Sequence, residues 1–307
     1  MAKTQAEETP AKQSKKRKRR IAKFVIKLVI TGLALFFAFK TIDIQQFKKE
    51  LLSTNLWWFV LAVLCFNASK IIAAFRIRVF YANAGLLLGK MYNFKLYYLG
   101  MFYNLFLPGA IGGDAYKVYA LRDPEKGNTK ALVWATLADR ISGLCLLLIL
   151  GGLFYLFSNF PIWEEWEISV IVLLASLGCL PAFYIAFRWI LDKRVIKNFA
   201  QTTHYSLWVQ IGQVATALCL LYALSVGDNF MDYLALFMLS SVAAVIPLTV
   251  AGVGIREWVF LQGNAFLLIQ EEKSVAFAFL FFSAMAISSL FGAIFAFKPI
   301  EQDLEDI

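Results

Sequence analysis

Leu107-Pro108-Gly109-Ala110-Ile111-Gly112-Gly113-Asp114 interrupts a stretch that would otherwise read as one membrane-crossing helix. Proline removes a backbone donor and glycine permits sharp reversal, so a helix does not pass through unbroken. Both flanks of the stretch, about 91 to 121, are basic: Arg76, Arg78 and Lys90 precede it, and Lys117, Arg122, Lys126 and Lys130 follow. A single crossing would carry one basic cluster outside, against the tendency of Lys and Arg to stay in the cytoplasm. A re-entrant hairpin keeps both clusters inside. Irregular backbone at membrane depth is tolerated only where it is buried in protein or lines a cavity, so the tip marks a cavity.

The setting follows from composition. The 307 residues are 60% hydrophobic and only 17% charged, far more apolar than a soluble domain. Charge-free runs cover 51 to 69, 141 to 163, 168 to 187, 205 to 227, 233 to 255 and 274 to 297. About 20 apolar residues cross the hydrocarbon layer, and the run 24 to 39, broken only by Lys27, also suffices because that lysine can snorkel. Starting inside, 24 to 39 goes out and 51 to 75 returns to Lys70, Arg76 and Arg78. After the first hairpin, the helix from about 131 leads to an acidic loop with Glu164, Glu165 and Glu167, and 168 to 187 comes back to Arg188, Lys193, Arg194 and Lys197.

The segment 205 to 227 exits to Asp228 and Asp232, and 233 to 270 then poses the first problem in mirror image, ending at Glu271 and Glu272. It fits a second hairpin, entered from outside, with its turn between Ile246-Pro247 and Arg256-Glu257. Each proline is followed five residues later by a glycine, Gly113 and Gly252, and Gly112 and Gly254 lie beside them. The expected fold is an all-α polytopic membrane protein with about six full spans and two re-entrant helical hairpins. Helix, hairpin, helix at 51 to 157 recurs with opposite orientation at 205 to 297, an inverted repeat of the kind that builds many transporters. Eight plain crossings are the alternative. The domain division is a basic cytoplasmic tail at 1 to 23, one transmembrane domain at 24 to 297 and an acidic cytoplasmic tail at 298 to 307.

Net charge is +9, of which residues 1 to 23 carry +7. Lys15, Lys16, Arg17, Lys18, Arg19 and Arg20, just before a span, read as contacts to an anionic membrane surface and a cytoplasmic amino terminus, not as a nucleic-acid site. Cys65, Cys145, Cys179 and Cys219 each sit alone in an apolar run, without metal-like spacing. His204 is the only histidine, which excludes HExxH and His-rich sites. No cofactor, metal or catalytic residue is expected. Trp57, Trp58, Trp163 and Trp166 adjoin water boundaries and read as interfacial belts.

Three motifs carry a resemblance: Asn104-Leu105-Phe106-Leu107-Pro108-Gly109-Ala110-Ile111-Gly112-Gly113-Asp114, then Asp139-Arg140-Ile141-Ser142-Gly143, then Gly252-Val253-Gly254-Ile255-Arg256-Glu257. Together they resemble the flippase-like transmembrane region of lysylphosphatidylglycerol synthases over roughly residues 20 to 297. The resemblance implies a bacterial inner-membrane protein that binds a phospholipid or polyprenyl-linked lipid in a cavity between paired re-entrant elements. Bifunctional members carry an aminoacyl-transferase domain after the membrane part, whereas this sequence ends at Ile307, so the synthase activity is not expected to transfer.

Intramembrane charge points to function by default. Asp139, nine residues after Lys130, would lie ~13 Å into a helix starting there. Neighbours on a helix point about 100° apart, so Asp139 and Arg140, and likewise Arg256 and Glu257, need other partners. The expected pairs cross the pseudo-two-fold: Asp139 with Arg256, and Arg140 with Glu257, with Asp114 and Lys117 near the first tip. Two readings stand. In one, Arg140 and Arg256 receive a lipid phosphate, which guanidinium matches bidentately, and the acids hold them between substrates. In the other, static pairs pin broken helices together. Asn104, Gln210 and Gln213 offer neutral donors to a headgroup or interhelical hydrogen bonds. The leading function is lipid translocation. The alternatives are a role in lipid-linked glycan assembly and a non-transporting scaffold.

Overall fold

The structure, a computed structural model, describes residues 44–106, 112–123, 127–160, 166–245, 252–267 and 269–296. The expected span at 24 to 39, both tails, Trp163, Pro108 and Pro247 lie outside them. The described chain is helical: α1 (Ile44–Leu52), α2 (Leu56–Asn83), α3 (Lys90–Phe106), α4 (Gly112–Leu121), α5 (Thr129–Leu156), α6 (Trp166–Ile185, continued by a π turn at Ala186–Ile190), α7 (Phe199–Ala223), α8 (Phe230–Val245), α9 (Ile255–Gly263), α10 (Glu271–Leu290) and α11 (Ala293–Ala296). Five stretches among the described residues are long and apolar enough to cross a membrane: α2, α5, α6 with its π turn, α7, and α10 with α11. They match the five expected spans that fall there. The protein is a polytopic helical membrane protein.

Both Pro/Gly breaks separate a long helical arm from a short one. The first pairs α3, of 17 residues, with α4, of 10; the second pairs α8, of 16, with α9, of 9. At 1.5 Å per residue, α4 and α9 reach only about 13 to 15 Å, half of a hydrocarbon core. In the first hairpin the arms touch at Gly100 and Gly113, and the Gly113 N–H donates to Asn104 Oδ1 at 2.8 Å. In the second, Gly263 packs against the Leu236 side chain.

The two hairpins enter from opposite ends. α2 and α7, the first helix of each repeat, are the most extensively packed pair and run antiparallel: Asn55 N–H donates to Ala223 O at 2.9 Å at one end, and Asn198 Nδ2 to Asn83 Oδ1 at 3.0 Å at the other. They pack tightly where Gly212 faces Ser69, beside the 2.7 Å bond from Gln213 Nε2 to Ser69 Oγ. Because α3 follows the end of α2 and α8 follows the end of α7, opposite directions of α2 and α7 mean opposite entry. The inverted arrangement inferred from the two breaks is thus present.

Charge divides the ends. Arg78, Lys90, Arg122, Lys130, Arg188, Lys193, Arg194 and Lys197 lie where the first hairpin starts and finishes, against Asp123 and Asp192; Glu50, Asp228, Asp232, Glu271 and Glu272 lie at the other end and outnumber Lys48, Lys49 and Lys273 there. There Asp232 accepts from Asn159 N and Nδ2 at 2.7 and 2.9 Å, tying the α5–α6 loop to α8. Trp57 and Trp166 are exposed beside that end, and Trp189 beside the basic one. Helix α1 is an addition to the expected elements. Its single buried residue, Phe47, packs edge-on to Phe279 of α10 at 6.2 Å.

The apolar core falls into two clusters. One gathers Leu88, Tyr92, Leu96 and Leu121 of the first hairpin with the last turns of α2 and the start of α5; the other gathers Tyr233, Phe237 and Phe260 of the second with α7 and α10. Helix α2 crosses both, with Phe66 in one and Ile77 in the other. Lys70 and Arg76 therefore lie inside the molecule and not, as expected, at the end of a span finishing near 75. The helix is 28 residues, about 42 Å, and Lys70 stands about 21 Å along it. The cysteines are not solitary either: Cys145 Sγ donates to Cys179 O at 3.4 Å between α5 and α6, and Cys179 Sγ to Ser176 O at 2.9 Å.

Candidate functional site

Between the two clusters lies a cavity of about 290 Å³. Both hairpins reach it, the first through Met101, Asn104 and Leu105, the second through Ser241, Val245 and Arg256; α2, α5, α7 and α10 complete its wall. Among the described residues its charged lining consists of Lys70, Arg140 and Arg256, with no carboxylate.

Each motif has a local task. Gly252 and Gly254 have φ of +79° and +85°, a region that L side chains avoid. This turn starts α9, and Glu257, on the first turn, accepts from the Gly254 N–H at 2.7 Å, an N-terminal cap. Arg256, one residue earlier, points to the cavity. Its Nη1 donates to Ser241 Oγ at 2.9 Å and Ser240 Oγ at 3.3 Å, and its guanidinium stands 4.7 Å from the Phe281 ring centre. No carboxylate lies within 4.0 Å of it among the described residues.

On α5, Asp139 is buried against α2, where it accepts from Arg76 Nε at 2.7 Å. Arg76 Nη1 also donates to Ser206 Oγ of α7 at 3.0 Å. Gly143, the last residue of the second motif, leaves room for that guanidinium, since a Cβ there would lie 3.1 Å from Nη1. Arg140 turns to the first hairpin and bonds Asp114, whose other oxygen takes Lys117 Nζ at 3.0 Å. Lys117 in turn sits 4.4 Å from the centre of the Tyr97 ring.

These contacts overturn the expected pairing of Asp139 with Arg256 and Arg140 with Glu257. The 100° step between neighbours sends Asp139 toward α2 and Arg140 toward α4, so each finds a partner within its own half, while Glu257 is used by its own helix. Of the candidate headgroup residues, Arg140, Arg256 and Asn104 line the cavity. Asp114 and Lys117 stand behind Arg140, and Asp139 and Glu257 are buried away from the lining. Gln210 Nε2 bonds Gly143 O at 2.9 Å and Gln213 bonds Ser69, both between helices. Lys70 was not among the candidates. Its Nζ lies 4.6 Å from the Phe66 ring centre, and no carboxylate lies within 4.0 Å of it among the described residues.

The Arg76–Asp139 pair is structural, and its removal has a definite signature. Arg76→Gln or Asp139→Asn alone leaves one buried charge and is expected to destabilise by about 3–5 kcal/mol. Changing both removes the charge together with its partner, so thermal melting of the purified double variant should lie above that of either single variant. Strictly additive losses would mean that the two are not coupled.

A second cavity of about 330 Å³ lies on a different face of α8, between α5 and α6; its wall is almost wholly apolar, with Leu148, Ala175, Met238 and Val242.

No curated protein matches the sequence at a significant level. The family model described as the lysylphosphatidylglycerol synthase TM region matches residues 24–292, nearly the whole membrane part. The chain belongs to this family of integral membrane proteins linked to lipid metabolism.

Proposed function

We propose that this protein receives the phosphate of a phospholipid or polyprenyl-linked lipid in the cavity between its hairpins and moves that lipid from one leaflet to the other. One observation carries the reading: a cavity reached by two oppositely entering hairpins is lined, among the described residues, by Lys70, Arg140 and Arg256 and by no carboxylate. Guanidinium and ammonium groups held at membrane depth favour an anion, and Arg matches phosphate oxygens bidentately. Two short arms meeting from opposite ends supply the elements that alternate access requires. Acyl or prenyl chains stay in apolar surroundings throughout, since only the headgroup needs the polar passage.

The basic end faces the cytoplasm in this reading, and a bacterial inner membrane is its setting. Lys15 to Arg20 rest on the anionic inner surface. The protein acts by binding and movement, without a covalent step.

The test is lipid translocation in vesicles containing purified protein and a fluorescent phosphatidylglycerol analogue, whose outer-leaflet share is quenched by an impermeant reductant. Wild-type protein should make the inner-leaflet share quenchable as well. The Lys70→Gln/Arg256→Gln variant should leave it protected, as in protein-free vesicles. Protection in the wild-type vesicles would rule out translocation.

A further inference from the structure

Helix α6 belongs to neither hairpin, and one of its faces stays exposed. Leu174, Leu177, Pro181 and Ile185 recur there at helical spacing, with Leu174 66% and Leu177 65% exposed. A Cβ added at Gly178, on the same face, would meet no atom within 4 Å. The stripe runs toward the basic end, where Trp189 and Ile190 stand exposed, as residues at a membrane–water boundary do.

At that end lies a depression of about 550 Å³, lined by Asn83, Tyr184, Arg188, Lys193, Arg194 and Lys197. Arg188 follows Ile185 by three residues and so continues the face of the stripe. One turn earlier, Tyr184 packs with its ring centre 5.1 Å from that of Phe199. The loop that brings the other cations is fixed. Asn83 Nδ2 donates to Val195 O at 2.9 Å, Val195 and Ile196 are buried, and Arg194 donates to Asp192 through Nε at 3.0 Å and Nη2 at 2.7 Å. Asn83 stands thirteen residues beyond Lys70 on α2, about 20 Å, so this depression is separate from the cavity between the hairpins.

An apolar stripe leading into a basic depression has the outline of a phospholipid, chains first and phosphate last. We infer that the α6 stripe and the depression at Arg188 and Lys197 form a second lipid site, which holds an anionic glycerophospholipid of the leaflet at the basic end. Its acyl chains lie along Leu174, Leu177 and Ile185, and its phosphate sits among Arg188, Lys193 and Lys197. Lys and Arg just outside a span attract anionic headgroups, and Tyr184 and Trp189 suit the headgroup level. A soluble anion would use the cations and leave the stripe idle; a zwitterionic lipid would use the stripe and bring no net charge to the cations. The lipid held here is not cargo, because the site lies outside both hairpins. It ties α6 and the start of α7 to one leaflet.

A site open to the bilayer exchanges its lipid, so it is read by titration and not by what copurifies. Delipidated full-length protein in detergent is titrated with dioleoyl phosphatidylglycerol or dioleoyl phosphatidylcholine, and the successive bound lipids are counted by native mass spectrometry. In Arg188→Gln/Lys197→Gln one phosphatidylglycerol step should weaken about tenfold or more. The charge-keeping Arg188→Lys/Lys197→Arg should bind like the wild type. The weakened step should survive in Lys70→Gln/Arg256→Gln, which separates it from binding in the cavity. Lys90→Gln/Arg122→Gln removes the same charge from exposed residues at the same end and should leave every step in place. All four exchanged cations are exposed, so the fold is expected to persist in both glutamine pairs. An unmoved step in Arg188→Gln/Lys197→Gln, as when acidic residues of the chain already answer these cations, overturns the inference. So does an equal loss in Lys90→Gln/Arg122→Gln, which would make it a property of the whole basic end. Equal wild-type binding of phosphatidylcholine at this step, or displacement of the phosphatidylglycerol by excess glycerol 3-phosphate, overturns it as well.

Discussion

Alanine at Gly113 is expected to abolish the folded protein, although it adds one methyl group. The new Cβ would fall far inside van der Waals contact with the Gly100 carbonyl oxygen, 2.6 Å from its carbonyl carbon and 2.9 Å from its Cα. All three are backbone atoms of the facing arm, so no side-chain rotation relieves the clash and the arms of the hairpin must separate. Separation breaks the bond from Gly113 N–H to Asn104 and moves Asp114 away from Lys117 and Arg140. The combined cost should exceed about 4 kcal/mol, in the range reserved for overpacking together with a broken buried network. Gly100→Ala, on the other face of the same contact, should be milder, because its nearest neighbour is the flexible end of Lys117 at 2.5 Å. Gly178→Ala on α6, where nothing lies within 4 Å, should melt like the wild type. Thermal melting of detergent-purified variants ranks the three. A Gly113→Ala protein as stable as Gly178→Ala would mean that the arms do not touch.

This sensitivity was legible in the sequence as far as its location. Proline and glycine packed into an apolar run cannot continue a helix, and basic residues on both flanks argue against a crossing; those two facts gave the hairpin and, by repetition near Pro247, the inverted repeat, while Pro108 and Pro247 themselves lie outside the described residues. The partner of Gly113 was not legible, because nothing local marks Gly100 as the facing residue. Lys70 was misread for a related reason. A lysine after nineteen charge-free residues looks like the end of a span, yet the apolar pattern continues through Ile77, Phe80 and Tyr81, and the helix is long enough to hold Lys70 at its middle. The expected charge pairs across the symmetry axis do not form. Helical phase decides the pairing instead, and phase matters only once it is known which helix stands beside α5. Glu257 was legible in retrospect as a cap: a glutamate three residues after a turn glycine that opens a helix is the capping pattern.

Lys70→Gln combined with Arg256→Gln should weaken lipid binding about a hundredfold or more while leaving the fold intact. Each contributes a charge-assisted contact to a phosphate, worth roughly 1.5–3 kcal/mol, and the two together span that loss. Neither is ion-paired with a carboxylate among the described residues, and the buried Glu257 beside Arg256 keeps its bond from the Gly254 N–H, so their removal breaks no ion pair, in contrast to loss of Arg76. Arg256 gives up its bonds to Ser240 and Ser241 and its place over Phe281, a cost that glutamine recovers in part. Native mass spectrometry of wild-type and double-variant protein, extracted from the same membranes under the same conditions, reads the lipid that travels with each. The account predicts a tightly held anionic lipid on the wild type and its loss from an equally stable double variant; the same anionic lipid retained on both would contradict it.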